Sequence, residues 1–256
     1  MANESLQLRD RVAIVTGGSR GIGRAVVDRL AEMGAHIVVN YLRDAAAADA
    51  AVASACSRGV EALAVHADVS KLEDADRLIN ETAQRFKRID ILVCNAGIWE
   101  GAAVEEISEE LWDRTMDINL KGTWTVCRAA IPVMKRQRSG RIVIVSSTAG
   151  QRGEANVSNY AASKGAQISF TKSLAPELAS FGINVNAVAP GWVDTELNGA
   201  VFADHDRLDA INRTIPLGRV ATVDEIACPI IFLCSDWARH ITGEILNVNG
   251  GSVLCG

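Results

Sequence analysis

The most constraining feature of this chain is a short apolar run, Val12-Ala13-Ile14-Val15. It passes directly into Gly17-Gly18-Ser19-Arg20-Gly21-Ile22-Gly23 and then into an amphipathic segment ending near Met33-Gly34. Strand, glycine turn and helix in that order form half of a βαβ unit, and a helix N-terminus reached through glycines turns backbone N–H groups toward a bound anion. Gly17 permits the tight turn, Gly21 lets backbone approach a pyrophosphate, and Gly23 lets the helix pack close to the strand. An ordinary loop uses the same residues, so the strand-to-helix context is what favours nucleotide binding. The run lacks the Gly-Lys-Ser/Thr ending of a triphosphate loop, and a dinucleotide fits better.

Alternating strands and helices continue to the end of the chain. Residues 36–41, 62–67, 89–94, 141–145, 183–188 and 245–248 read as strands, and alanine-rich or amphipathic helices are expected over 45–55, 71–87 and 222–234. Ser108 caps a further helix, followed by Glu109 and Glu110, whose apolar period runs past Asn119 to Met134. The basic stretch 135–141 reads as a solvated turn, and Pro229 implies a kink. Residues 195–219 have few periodic signals and are expected to form a mobile segment covering a site. With 256 residues, 48% of them hydrophobic, one domain over 1–256 is expected, and a net charge of -5 disfavours nucleic acid as a partner. The longest apolar stretch, 226–234, is too short to span a bilayer, and the polar start lacks the apolar core of a secretory signal, so a soluble cytoplasmic protein is expected. Six cysteines without a Cys-x-x-Cys pair, and four histidines away from ligand spacing, read as reduced thiols and no metal.

Chemistry-bearing residues cluster after the strands. The second strand ends Val39-Asn40-Tyr41-Leu42-Arg43 without the acid that would hold the ribose of NAD. Arg43, with Arg20 in the glycine loop, suits a 2′-phosphate and so NADP, with NAD the alternative; a solvated Arg43 is the bland reading, and Asp44 follows it. Asp68-Val69 after the third strand fits an adenine edge or a helix cap, with Ser70 the competing cap. Asn95-Ala96-Gly97 would let a cofactor lie close. Asn119, an amide inside a helix, marks either a kink bonded through water or a solvent-facing position. Ser147 ends a central strand, at the edge where open parallel sheets bind ligands, or is a plain strand-end cap. Tyr160 and Lys164, four residues apart in a helical segment, put a phenol and an amine on one face, a spacing that chance also produces.

Taken together, 16–23, Asn95-Ala96-Gly97, Asn119, Ser147, Tyr160 with Lys164, and Pro190-Gly191 resemble the compact short-chain dehydrogenase/reductases over essentially the whole chain. Within them the chain is most similar to the 3-oxoacyl carrier-protein reductases, down to Ile241-Thr242-Gly243-Glu244 and Asn249-Gly250-Gly251, although sugar, polyol and steroid dehydrogenases share much of this. The resemblance implies a single-domain α/β Rossmann fold with a seven-stranded parallel sheet in order 3-2-1-4-5-6-7 and helices on both faces. It also implies reversible carbonyl/alcohol interconversion with NADP, with Tyr160 as acid/base, Ser147 orienting the substrate oxygen, Lys164 on the nicotinamide ribose and Asn119 holding a water that links Lys164 to solvent. Pro190, Gly191, Val193 and Thr195 would complete the cofactor contacts, and a homotetramer would pair the Asn119 and Tyr160 helices.

A free phenol needs about 4 kcal/mol to titrate near neutrality, and an ammonium about 5 Å away supplies roughly 3 kcal/mol at an effective dielectric of 20. Trp99, Gln151, Glu154, Val157 and Trp192 lie beside the motifs and are candidates for the substrate pocket, or simply pack loops. Arg138 fits a carrier-protein docking position, but Phe181 stands where a second basic residue is usual. A small ketone or a coenzyme A ester therefore competes with an acyl carrier protein as substrate. Two rival classes are a dinucleotide-binding redox sensor, disfavoured by the retained catalytic side chains, and an extended epimerase or dehydratase, disfavoured by the short tail after Gly191.

Overall fold

A computed structural model of the chain describes residues 7–254; the polar start and Cys255 lie outside the described residues. In chain order the elements are β1 (Val12–Val15), α1 (Gly21–Glu32), β2 (His36–Tyr41), α2 (Ala45–Ser57), β3 (Ala62–His66), α3 (Leu72–Phe86) and β4 (Ile91–Cys94). They continue with α4 (Glu109–Thr115), a π-helical turn (Met116–Lys121), α5 (Gly122–Gln137), β5 (Gly140–Val145), α6 (Thr148–Arg152), α7 (Ser158–Ala179) and β6 (Ile183–Pro190). The chain closes with α8 (Gly199–Phe202), α9 (His205–Arg213), α10 (Val223–Cys234) and β7 (Ile245–Val248).

All strand pairs are parallel, and the sheet order is β3-β2-β1-β4-β5-β6-β7, as the resemblance implied. Strand alternation sends Ala13 and Val15 to one face and Ile14 to the other. The first face packs on α1, α2 and α10 through Val26, Leu30, Ala48 and Ile230. The second packs on α3, α5 and α7 through Leu78, Val126 and Leu178. Because both faces are covered, β1 and β4 are buried along their whole length, which is why they read as unbroken apolar runs.

The order reverses between β1 and β4, and this opens a crevice at their carboxyl ends. Thr16 and Asn95 close its floor. The Thr16 hydroxyl accepts from the Asn95 and Ala96 backbone N–H groups at 2.9 and 3.0 Å, and the Asn95 amide donates to the Thr16 and Gly17 carbonyls.

Local chemistry sets the helix ends. Ser108 accepts from Leu111 N–H, and Thr222 with Glu225 forms a reciprocal capping box. α10 continues across Pro229. Segment 195–219 contains two short helices, α8 and α9, whose Val201 and Ile211 pack with Ile215, Trp99 and Trp192. Their period is only one or two turns long, too short to stand out in the sequence. Among the described residues no helix is long and apolar enough to cross a membrane.

Candidate active site

The glycine turn has the strain that its residues predict. Gly17 and Gly21 have φ of 61° and 54°, in the left-handed region, and a Cβ on Gly23 would lie 2.2 Å from the Gly17 carbonyl oxygen. α1 begins at Arg20 with no side-chain cap and no acid in its first turn, so its N-terminal N–H groups remain for an anion. This cradle, which a Cβ would fill, fits a pyrophosphate. Arg20 and Arg43 line the same cleft and are exposed, and neither has an ion pair among the described residues. Asp44 is spent on capping α2 through Ala47 N–H at 2.9 Å, which removes it as Arg43's partner. Both guanidinium groups fit a 2′-phosphate.

Asn40, expected among the cofactor contacts, lines the cleft and also braces the turn. It is buried, accepts from Gly17 N–H at 3.3 Å and donates to Ala67 O at 3.0 Å, so its amide braces the glycine turn against β3. Asp68 lines the cleft beside Val69, and its carboxylate accepts from the Ser70 N–H and hydroxyl. Neither Asp68 nor Ser70 caps α3, which starts after Lys71 without a side-chain cap.

At the other end of the cleft, Ser147, Tyr160 and Lys164 come together with Asn95, Ala96 and Gly97 on one side and Pro190, Gly191, Val193 and Thr195 on the other. A Cβ on Gly150 would lie 2.5 Å from the Lys164 carbonyl carbon, so α6 and α7 touch backbone to backbone, carrying Ser147 to Tyr160. Ser147 caps α6 by accepting from Ala149 N–H at 3.1 Å and also lines the cleft. Its hydroxyl is near enough to the Tyr160 phenol to pull its pKa downward. Lys164 Nζ donates to Val145 O at 2.8 Å and lies 5.6 Å from the centre of the Tyr160 ring.

In the protein without cofactor the phenol lies above its ordinary range. Burial pushes Tyr160 up to about 12, against a downward pull from Ser147, with the Glu154 charge acting upward as well. Burial brings Lys164 down to about 8. The ammonium points to a carbonyl and does not offset the desolvation of the phenol.

Asn119 is fully buried, which overturns the solvent-facing alternative. It lies in the π turn, so the kink is present. Its side chain accepts from Ile98 N–H at 2.8 Å and donates to Ile98 O and Ser163 Oγ, both at 3.0 Å. Its own carbonyl accepts from Thr123 and from Gln167, each at 2.8 Å. These contacts belong to two facing polar stripes with a four-residue step, Thr115, Asn119 and Thr123 against Asn159, Ser163 and Gln167. The period is visible in the sequence and was missed.

Of the expected substrate residues, Trp99 and Trp192 line the cleft as an edge-to-face pair 5.9 Å apart, and Glu154 lines it too. Gln151 donates to Asn247 Oδ1 at 2.6 Å, and neither it nor Val157 is among the lining residues. Ser19 and Ile22 line the glycine end, while Gly23 packs behind it. Sequence reasoning missed Glu196: a Cβ on Gly21 would be 3.6 Å from its carboxylate, an acid held beside the phosphate cradle with no motif to announce it.

A parallel sheet with a glycine cradle at its switch point, and a serine, tyrosine and lysine converging beyond it, defines a dinucleotide-dependent oxidoreductase site. The chain belongs to the short-chain dehydrogenase/reductases. Residues 17–252 match the family model described as enoyl-(acyl carrier protein) reductase. A 3-oxoacyl-[acyl-carrier-protein] reductase of a Synechocystis species is 43% identical, aligned over 96% of this chain and 98% of the relative. The 3-oxoacyl-[acyl-carrier-protein] reductase FabG of Staphylococcus epidermidis is 40% identical over 96% of this chain and 100% of its own length. Among solved structures, a Beutenbergia cavernae protein named as an NAD(P)-dependent gluconate 5-dehydrogenase, with NADP bound at low occupancy, superposes with a TM-score of 0.92 at 39% identity, covering 96% of this chain and 98% of that one.

Proposed function

We propose that this protein reduces the keto group of a 3-oxoacyl thioester with NADPH, Tyr160 donating the proton. The observation that carries the reading is the Ser147–Tyr160–Lys164 cluster at one end of a cleft whose other end has an uncapped helix terminus and two unpaired arginines. When bound, NADPH supplies a hydride to the carbonyl carbon. Ser147 holds the carbonyl oxygen and Tyr160 gives it a proton, so the C=O becomes an alcohol. Lys164, whose Nζ donates to Val145 O and lies 5.6 Å from the centre of the Tyr160 ring, would hold the ribose hydroxyls of the cofactor. Asn119 positions the Ile98 backbone along the cofactor's flank.

Relatives named as 3-oxoacyl-[acyl-carrier-protein] reductases support the substrate class. At the docking corner, Arg138 is exposed and donates to Ser180 O, while Lys135 Nζ stands 4.5 Å over the Phe181 ring and supplies the positive charge that Phe181 lacks. A partly exposed apolar groove lined by Met116, Leu120, Trp124 and Phe170 supports pairing of the Asn119 and Tyr160 helices in a homotetramer. Free cysteines at 56, 94, 127, 228 and 234 support a cytoplasmic setting. A small-polyol or sugar dehydrogenase is the second reading, favoured by the Beutenbergia neighbour.

The deciding experiment is consumption of NADPH and NADH against acetoacetyl coenzyme A, a 3-oxoacyl carrier protein, sugars and cyclic ketones. Preference for a polyol or sugar over both thioesters would reject the first reading. Replacing Arg20 and Arg43 together by Ala is expected to weaken NADPH binding by roughly 10- to 100-fold and leave NADH within about threefold, because each guanidinium contributes charge-assisted bonds only to the 2′-phosphate. Equal losses for the two dinucleotides in a fluorescence titration would remove the arginines from that role.

A further inference from the structure

We infer that Glu154 is a charge filter at the substrate end of the cleft, admitting 3-oxo compounds whose acyl end is an uncharged ester or thioester and rejecting free 3-oxo acids. The inference rests on the reductase reading above and adds a specificity determinant to it. Glu154 lies in the loop between α6 and α7 and lines the same cleft as Tyr160, Trp99 and Trp192. The loop is held by backbone. Gly153 and Asn156 have φ of 75° and 63°, and a Cβ on Gly101 would lie 2.3 Å from Asn156 O. The Asn159 amide, at the second position of α7, donates to Glu100 O at 3.0 Å. The Trp99 loop and the Glu154 loop are thereby fastened to each other.

Glu154 and the Lys164 ammonium both line the cleft near Tyr160. Arg20 and Arg43 lie at the glycine-turn and β2 end of the cleft, and Lys164 Nζ is turned to Val145 O. Arg152 forms an ion pair with Glu154 at 3.6 Å, from a position about half exposed that does not line the cleft. The apolar Trp99–Trp192 pair lines the same cleft. The charge of Glu154 is felt at the Tyr160 hydroxyl, where the reacting carbonyl must sit. In a free 3-oxo acid the carboxylate is two bonds beyond that carbonyl, so it meets the Glu154 charge in a partly desolvated space. In an ester or thioester the same atoms are neutral and lie against the tryptophans.

The test compares kcat/KM for acetoacetate and methyl acetoacetate with NADPH. The wild-type protein is expected to favour the ester by about tenfold or more, and Glu154→Gln is expected to narrow that ratio by roughly tenfold. The alkaline limb of its pH–rate profile should also move down in pH. A ratio unchanged by Glu154→Gln overturns the filter. If that variant does not fold, the wild-type ratio is measured against salt: narrowing as ions screen the acid supports the filter, and a flat ratio overturns it. Turnover of neither compound, nor of acetoacetyl coenzyme A, overturns the reductase reading and the filter with it; equal turnover of both overturns the filter alone.

Discussion

Tyr160→Phe is expected to lower kcat/KM for carbonyl reduction by about a thousandfold while the dissociation constant for NADPH stays within about twofold. The substitution removes only the hydroxyl. The ring keeps its place on α7, and the glycine cradle and Arg20 are untouched. The direction of catalysis then sets the pH dependence. With the free phenol pushed up to about 12, Tyr160 is protonated through the neutral range, the form a reductase needs. Reduction should therefore be flat across neutral pH and fall only on the alkaline side. Alcohol oxidation needs the phenolate and should rise with pH. Steady-state profiles in both directions check this, and a Phe variant within tenfold of wild type would remove the proton donor from residue 160.

Lys164→Met is expected to abolish most turnover, by about a hundredfold or more, and at the same time to stabilise the fold. The ammonium has about 8 as its folded pKa against 10.5 when unperturbed. Below about pH 8 the folded chain therefore carries a buried charge that the unfolded chain keeps in water. Between those two values the unfolded chain binds more protons, so stability from this group rises with pH. Tyr160 acts oppositely: its raised value stabilises the fold below pH 10, and that contribution is lost as pH climbs toward 12. Removing the buried ammonium, less its bond to Val145 O, should add about 2 kcal/mol at neutral pH, or roughly 5 °C in Tm. The gain should shrink as pH rises past 8. A Tm that falls at pH 7 would show that the Val145 bond outweighs the desolvation.

Much of the site was legible because its rules act over a few residues. A glycine that must hold a positive φ, as at Gly17 and Gly21, declares itself between a strand and a helix. Tyr160 and Lys164 share a face because a helix repeats every 3.6 residues. Where reading failed, the cause was a partner distant in sequence. Asn119 looked ambiguous because its partners, Ile98 and Ser163, stand 21 and 44 positions away. Gln151 looked like a pocket residue until Asn247, 96 positions on, took its amide. In the protein without cofactor the amine is held by Val145 O, 19 positions before it, and burial raises the phenol.

The sequence by itself determined the alternation of strands and helices, the phosphate cradle, the absence of an acid at the end of β2 and the phenol–amine pair on α7. Each follows from backbone sterics or from a fixed helical or strand period. Only the tertiary structure decided that Glu196 stands beside Gly21, that Glu154 faces the compartment of Tyr160, and that burial raises the phenol and lowers the amine. Those outcomes depend on desolvation and on charges carried in from other elements. Desolvation is a property of the space between elements, which exists only once the sheet and its helices have packed.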